Sequence, residues 1–351
     1  MPLHQQDCVV ESIVLGLDRR RDFASSPPAL RKLYGAMCRM LYRATHDRSY
    51  RHSDRLWHHF KIERDVQGAI RTLTFRGTPI PLENGKKIVP HAGGRVHLIA
   101  TGPSVASIDY QRLPMASVLG VNGAIALIDR YPVKFDYYCM IDTNFVKKRP
   151  DLIEKILRQN FILFITPQIL WYVLQRFPVS ALRCKIYMME DVCEPTFMPG
   201  RGHAELPQVS SADVVQFDAA ATLGYSFDLR RGFFDCKTVA FTALQVLTWL
   251  GYKDICIHGM DLSNTLSVPR FYETRESMQP SSIESDFAAY IEPAFRKALP
   301  LLRERGVSLT NLSLGSALDA SIIPKVDWTS LCEPQADLPA DLPQADLPPA
   351  G

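Results

Sequence analysis

The sequence contains no C-x-x-C pair. Its eight cysteines, Cys8, Cys38, Cys139, Cys184, Cys193, Cys236, Cys256 and Cys332, are scattered, and several sit inside apolar runs such as Tyr138-Cys139-Met140 and Ile255-Cys256-Ile257. That pattern argues against structural zinc and for free, buried thiols in a reducing compartment. No stretch approaches the ~18 consecutive apolar residues a membrane span needs. A secretory signal is also missing: Cys8–Leu17 is apolar but carries Glu11, and the basic cluster Arg19-Arg20-Arg21 follows it instead of preceding it. The expectation is a cytoplasmic protein. A net charge of only +3 does not point to nucleic acid as a partner.

What is present is an ordinary globular composition, 46% hydrophobic and 22% charged over 351 residues. This suits one large α/β domain with additions. Charge is distributed unevenly. Twelve Lys/Arg fall between Arg19 and Arg64, whereas after Lys325 there are five acids and no base. Residues 1–90 read as a basic helical extension. Leu30, Leu33, Tyr34, Met37, Met40 and Leu41 recur at helical spacing, with Arg31, Lys32, Arg39 and Arg43 on the other faces. Such a helix either packs on the main domain or lies on the anionic inner face of the inner membrane, and both readings stay open. Ala69–Phe75 and Pro79–Val89, around Asn84-Gly85, read as a β-hairpin.

From about residue 91 to 328 strands and helices alternate. Strands are expected at Val96–Ala100, Ser117–Val121, Phe135–Ile141, Phe161–Ile165, Lys185–Met189, Asp254–His258 and Val307–Leu312. Helices are expected at Ala124–Arg130, Asp151–Asn160, Thr238–Leu250 and Asp286–Arg305. This order predicts a mostly parallel, Rossmann-like sheet with helices on both faces, binding its ligand at the carboxyl ends of the strands. Glu190–Ala219, rich in Pro and Gly, interrupts the alternation and suggests an insert or lid near residues 190–235. The tail 329–351 repeats Asp-Leu-Pro, is acidic, and has the composition of a disordered segment.

Four of these strands end in unusual residues. Ala100-Thr101-Gly102-Pro103-Ser104 is a small turn whose backbone can approach a phosphate, although it lacks the later glycines of the dinucleotide fingerprint. Asn122 offers both donor and acceptor groups after the second strand. Asp142-Thr143-Asn144 emerges from the third, and Asp261 follows Gly259-Met260. An isolated residue of this kind is as readily structural; four at equivalent ends predict a shared site. No cluster of metal ligands is visible in the sequence.

Thr101-Gly102-Pro103-Ser104, Ile108-Asp109-Tyr110-Gln111-Arg112-Leu113-Pro114 and Asn122 resemble the opening of bacterial sialyltransferases that use CMP-sialic acid. Leu250-Gly251-Tyr252-Lys253-Asp254-Ile255, with Gly259-Met260-Asp261, resembles a later run of the same enzymes. A closer resemblance is to the lipopolysaccharide core-biosynthesis family that adds Kdo (3-deoxy-D-manno-octulosonic acid). It rests on Gly232, Cys236-x-Thr238-x-Ala240, Gln245-Val246, Gly259-x-Asp261-Leu262 and Arg270-Phe271-Tyr272-Glu273. Both sugars are 2-keto acids activated as CMP esters. The likeness covers roughly residues 95–325. It departs from the sialyltransferases in three places: no His follows His258 to serve as their general base, Ser263 stands where one of two tyrosines would be, and Asp142 stands for an Asn.

The resemblance implies a glycosyltransferase that moves Kdo, or a related acidic keto-sugar, from a CMP-sugar to a lipopolysaccharide core acceptor. The donor is then a substrate, and no separate cofactor or metal is required. Gly102, Pro103, Ser104, Asn122, Thr143, Asn144 and Thr238 would hold the nucleotide, with Arg270 and Tyr272 on the leaving phosphate. Asp142, then Asp261, then Glu273, are the candidates for the base. Two other readings remain at this point: a non-catalytic nucleotide-binding scaffold of core assembly, and another nucleotide-dependent transferase such as a pterin pyrophosphokinase-like enzyme.

Overall fold

A computed structural model describes residues 28–84, 94–202, 204–218 and 222–332. The basic cluster at 19–21, the second half of the expected hairpin from Gly85 onward, and the acidic tail repeats lie outside the described residues.

Seven strands form one parallel sheet: β4 (Arg95–Ile99), β5 (Val118–Val121), β6 (Tyr137–Met140), β7 (Ile162–Ile165), β8 (Lys185–Met188), β11 (Asp254–His258) and β12 (Ser308–Asn311). Their order is β12-β11-β4-β5-β6-β7-β8, and every adjacent pair is parallel. All seven correspond to the apolar runs expected from the sequence. Successive side chains of a strand point to opposite faces, so each strand feeds two cores. Leu98, Leu119, Tyr137 and Cys139 face α5 (Val239–Trp249) and α7 (Glu292–Glu304). Ile99, Val118, Tyr138 and Met140 face α3 (Pro150–Leu157) and α4 (Pro167–Leu174). Burial on both faces explains why these strands read as continuous apolar runs.

The N-terminal part joins the second of these cores. Leu56, Phe60, Ile70, Leu73, Phe75 and Ile80 belong to the same apolar cluster as α3 and α4. The hairpin differs from the sequence expectation. β2 (Ile70–Phe75) pairs antiparallel with β1 (Phe60–Arg64), and β3 (Thr78–Pro79) adds two residues to the other side. The tight turn before β3 uses Arg76 and Gly77, both at positive φ, and not Asn84-Gly85. Asn84 instead bonds the Met188 backbone through both ends of its amide. α1 (Pro28–Thr45) buries Cys38 and Tyr42, while Leu33 (68% exposed) and Met40 (66%) face outward. The helix thus packs on one side and presents apolar side chains on another.

Between β8 and α5 the chain forms an antiparallel ribbon of β9 (Val214–Asp218) and β10 (Leu223–Ser226) that the sequence reading left as loop. Gln245 ties it to α5. Its buried amide accepts from the Ser226 and Phe234 amides and donates to the Phe234 and Phe241 carbonyls. The seven described cysteines are free thiols, five of them buried. No helix among the described residues is long and apolar enough to cross a membrane.

Candidate active site

The carboxyl ends of the adjacent strands β11, β4, β5 and β6 open into a cleft of about 520 Å³. Eleven of the twelve residues singled out in the sequence line it: Gly102, Pro103, Asn122, Asp142, Thr143, Asn144, Thr238, Asp261, Arg270, Tyr272 and Glu273. The exception is Ser104, expected on the nucleotide. Its hydroxyl turns inward, donating to Asp261 Oδ2 (2.9 Å) and lying 2.8 Å from Ser313 Oγ, and its backbone N–H also reaches Oδ2 at 3.3 Å.

That network ties the first motif to the last. The Asp261 carboxylate lies where a side chain on Gly102 would have to go, and the Gly259 carbonyl stands 2.6 Å from the same point. Glycine is required at 102 for close approach, not for an unusual φ. Burial raises the Asp261 carboxyl above the ordinary Asp value, and the Ser104 hydrogen bonds partly offset this. The Ile108–Pro114 stretch is scaffold as well. Tyr110 is buried with its hydroxyl 3.2 Å from His258 Nδ1, and His258 Nε2 lies 2.8 Å from His97 Nδ1. Burial holds both imidazoles below the ordinary His value, so the pair is neutral at physiological pH.

Asn122 adopts positive φ (44°), which Asn tolerates better than most residues. It is 8% exposed, its Oδ1 has no partner, and its backbone carbonyl accepts from Tyr138 Oη. A buried acceptor without a partner, on a residue that lines a cleft, can be matched by a ligand donor. Beside it, Tyr272 packs on Gly123, where even a methyl group would collide with the ring. The Arg149 guanidinium lies 5.2 Å from the centre of the Tyr272 ring, over its face, and forms an ion pair with Asp151. Burial pushes the Tyr272 phenol up, so it is a hydrogen-bond donor.

The phosphate-binding prospects differ from the sequence expectation. Arg270 is committed to Glu273, whose buried carboxylate accepts from the Arg270 guanidinium at 3.1 and 3.2 Å and from its backbone N–H at 3.2 Å. The same contacts occupy Glu273. Lys237 was not singled out in the sequence, lines the cleft, and forms no ion pair among the described residues. It precedes the first turn of α5, where Thr238 makes no capping bond with its side chain. An open helix start with a lysine beside it favours an anion.

Three carboxylates share the remaining wall: Asp142, Asp235 and Asp286. Asp142 caps α2 (Thr143–Lys148), accepting from the Asn144 and Phe145 amides through Oδ1. Asp235, also missed in the sequence, is solvent-accessible within the cleft. Its carboxyl is raised above the usual Asp value, first by desolvation, with Asp286 and Asp142 adding like charge and Lys237 opposing. No group of three His, Cys, Asp or Glu among the described residues is arranged to hold a metal ion. The wall over the cleft comes from residues 262–286, whereas the described part of Glu190–Ala219 lines a different pocket.

Residues 213–329 match the family model of the 3-deoxy-D-manno-octulosonic acid transferase WaaZ. The chain is 23% identical over 246 residues to a probable 3-deoxy-manno-octulosonic acid transferase of Salmonella typhimurium, covering 67% of this chain and 87% of that protein. It is 30% identical over 102 residues to a protein of the same description from Escherichia coli, covering 29% and 34%. Among solved structures it is similar to the MAf glycosyltransferase of Magnetospirillum magneticum, at 12% identity and a TM-score of 0.41 over 71% of this chain, and spans 35% of that chain's length. It is also similar to the sialyltransferase CST-II, solved with a trisaccharide acceptor and CMP, at 17% identity and a TM-score of 0.35 over 66% of this chain and 85% of that one. The motif resemblance to Kdo transferases thus extends to a family model and to curated relatives.

Proposed function

We propose that this chain transfers Kdo, or a related acidic keto-sugar, from its CMP ester to a hydroxyl of a lipopolysaccharide core acceptor. The observation that carries the reading is the buried, unpartnered Asn122 Oδ1 on a residue of the cleft that also contains the open start of α5. One end suits the donor groups of a nucleoside and the other suits a single phosphate. Gly102 and Pro103 lie against the nucleotide, Thr143 and Asn144 against the sugar, and Lys237, Thr238 and Tyr272 against the leaving phosphate. Arg270 acts through the loop it braces.

The reaction forms a bond between an acceptor oxygen and the anomeric carbon of Kdo, and breaks the bond from that carbon to the CMP phosphate oxygen. The acceptor proton passes to a carboxylate, and the electron pair leaves with CMP. Among the cleft acids, Asp261 and Glu273 are held by Ser104 and Arg270. Asp142 spends one oxygen on a helix cap. Asp235 combines access with a raised affinity for a proton, which suits a general base. We assign it that role, with Asp142 as the alternative. Thermal stabilisation by CMP beyond that by UMP, ADP or NAD tests the donor assignment, and equal shifts with all four would refute it. Slow release of CMP from CMP-Kdo in the absence of acceptor separates a transferase from a nucleotide-binding scaffold.

The acceptor is a membrane lipid, and α1 offers the contact. Leu33, Met37 and Met40 are exposed on a helix that also carries Lys32 and Arg39, a combination suited to an anionic bilayer surface.

A further inference from the structure

A second pocket, of about 260 Å³, lies beyond the end of β8 at the edge of the sheet, between the N-terminal hairpin and the main domain. Four arginines line it: Arg64, Arg201, Arg230 and Arg231. Two of these are neutralised. Arg64 forms a two-pronged pair with Glu190, and Arg230 a two-pronged pair with Asp228. The other two form no ion pair among the described residues, although Glu190 acts on Arg201 and Asp228 on Arg231 from further away. The Arg201 guanidinium donates to the Val192 carbonyl at 2.7 Å. Arg231 bonds the Ser211 hydroxyl and the Val209 carbonyl. Neutral oxygens fix these guanidiniums in place, and the two carboxylates nearby are each already held bidentately by another arginine, which leaves the pocket an excess of positive charge. The pocket's one acid outside these pairs, Asp191, has its carboxyl raised to about 7 by burial, so it is only partly ionised at neutral pH and offsets part of one charge. Arg201 is partly desolvated and Arg231 lies exposed at the pocket's rim, and guanidiniums held in place by neutral oxygens are a common recognition device for a carboxylate or phosphate.

The pocket and the cleft are close along the chain: Gly232 lines the first and Asp235, three residues on, lines the second. Phe233 pairs with Asp191 through backbone hydrogen bonds on both sides, at Glu190 and Val192, and Asp235 lies two residues further on, in the cleft. β8 is two strands from β6, whose end carries Asp142, a separation of about 10 Å at the usual strand spacing. That distance is within reach of an oligosaccharide that also has a hydroxyl at the reaction centre.

We propose that the Arg201–Arg231 pocket is an acceptor subsite that takes an oxyanion, a sugar carboxylate or a sugar phosphate, of the saccharide whose hydroxyl is glycosylated in the cleft. This rests on the transferase reading above. The test uses the full chain with CMP-Kdo as donor and a lipopolysaccharide core saccharide as acceptor, and follows transfer and acceptor-independent CMP release separately. Arg201→Gln and, independently, Arg231→Gln should raise the acceptor KM by about tenfold or more, the worth of one charge-assisted contact. CMP release should stay unchanged in variants that remain folded, with a modest drop in melting temperature where the Val192 carbonyl loses its donor, and Arg201→Lys should recover part of the loss in KM. Unchanged acceptor KM in both folded variants, or a parallel fall in CMP release, would overturn the proposal. Removing phosphate from the acceptor separates the sources: a raised KM for wild type identifies phosphate, and an unchanged one identifies the carboxylate. If wild type neither releases CMP nor transfers Kdo, the functional reading fails but the pocket is still testable. Inorganic phosphate or free Kdo should then stabilise wild type and not Arg201→Gln, and equal shifts for both proteins would sink it.

Discussion

Asp261 offers a sharp test of which carboxylates are scaffold and which are chemistry. Its Oδ2 accepts from Ser104 Oγ at 2.9 Å and, weakly, from the Ser104 amide at 3.3 Å, and its carboxylate fills the space beside Gly102. Replacing it with Ala removes a charged acceptor and leaves a gap under the turn. One good hydrogen bond to a charged group contributes about 1.5–3 kcal/mol, and the longer bond adds little. Asp261→Ala should therefore lose about 2–3 kcal/mol, or roughly 5 °C in Tm for a domain of this size. The Gly102 turn loses its support, so the stabilisation conferred by CMP should fall with it. Asp261→Asn keeps an oxygen facing Ser104 and the same volume. It should melt within about 2 °C of wild type, a loss below about 1 kcal/mol, and retain turnover within about tenfold, since a base lost outright costs about 10²–10⁴. The assay is a thermal melt with and without CMP beside initial rates of CMP release. A well-folded Asp261→Asn that binds CMP normally but loses turnover by 10²–10⁴, the range for a missing base, would refute the assignment of Asp261 to scaffold.

Asp235→Asn should lower acceptor-dependent turnover by about 10²–10⁴ with CMP binding kept, whereas Asp142→Asn should cost much less; the reverse order in initial rates would move the base to Asp142. Gln245→Ala strips partners from the Ser226 and Phe234 amides and the Phe234 carbonyl, and at about 1–3 kcal/mol for each buried group left unpaired it should destabilise strongly in urea melts. Asp191 has its carboxyl raised from 3.8 to about 7, so the unfolded chain releases this proton first and stability falls as pH rises from about 4 to about 7. At about 1.4 kcal/mol per unit the ceiling is about 4 kcal/mol, and water access to the half-buried group lowers it to about 2; Asp191→Asn should flatten the melt-versus-pH curve by that amount, and an unchanged curve would contradict the shift. Changing Leu33, Met37 and Met40 to Gln should abolish binding to anionic vesicles if α1 is the contact, while Arg43→Gln should matter less because Arg43 is already paired with Asp54.

The sheet was legible in the sequence because its inner strands are buried on both faces and therefore stand out as apolar runs. The four chemistry-bearing strand ends were legible for the same reason, as polar residues ending such runs. Less visible was what depends on tertiary partners. Ser104 looked like a ligand contact because nothing local reveals that its hydroxyl meets Asp261, a residue 157 positions away. Arg270 looked like a free cation because Glu273, three residues on, could not be told from a second catalytic acid. Asp235 and Lys237 directly precede the expected helix, but only the fold brings that helix start to the same cleft as Gly102, Asn122 and Asp142. β9 and β10 carry a short mixed pattern, and their pairing to α5 runs through Gln245, which reads in sequence as a polar residue inside an apolar helix.

The most direct measurement of the central claim is mass spectrometry of a lipopolysaccharide core acceptor after incubation with the purified chain and CMP-Kdo. The account predicts an acceptor heavier by one Kdo residue, with one CMP formed per transfer, and loss of the product with Asp235→Asn. An acceptor of unchanged mass, with CMP-Kdo left intact and no stabilisation of the protein by CMP, would contradict it.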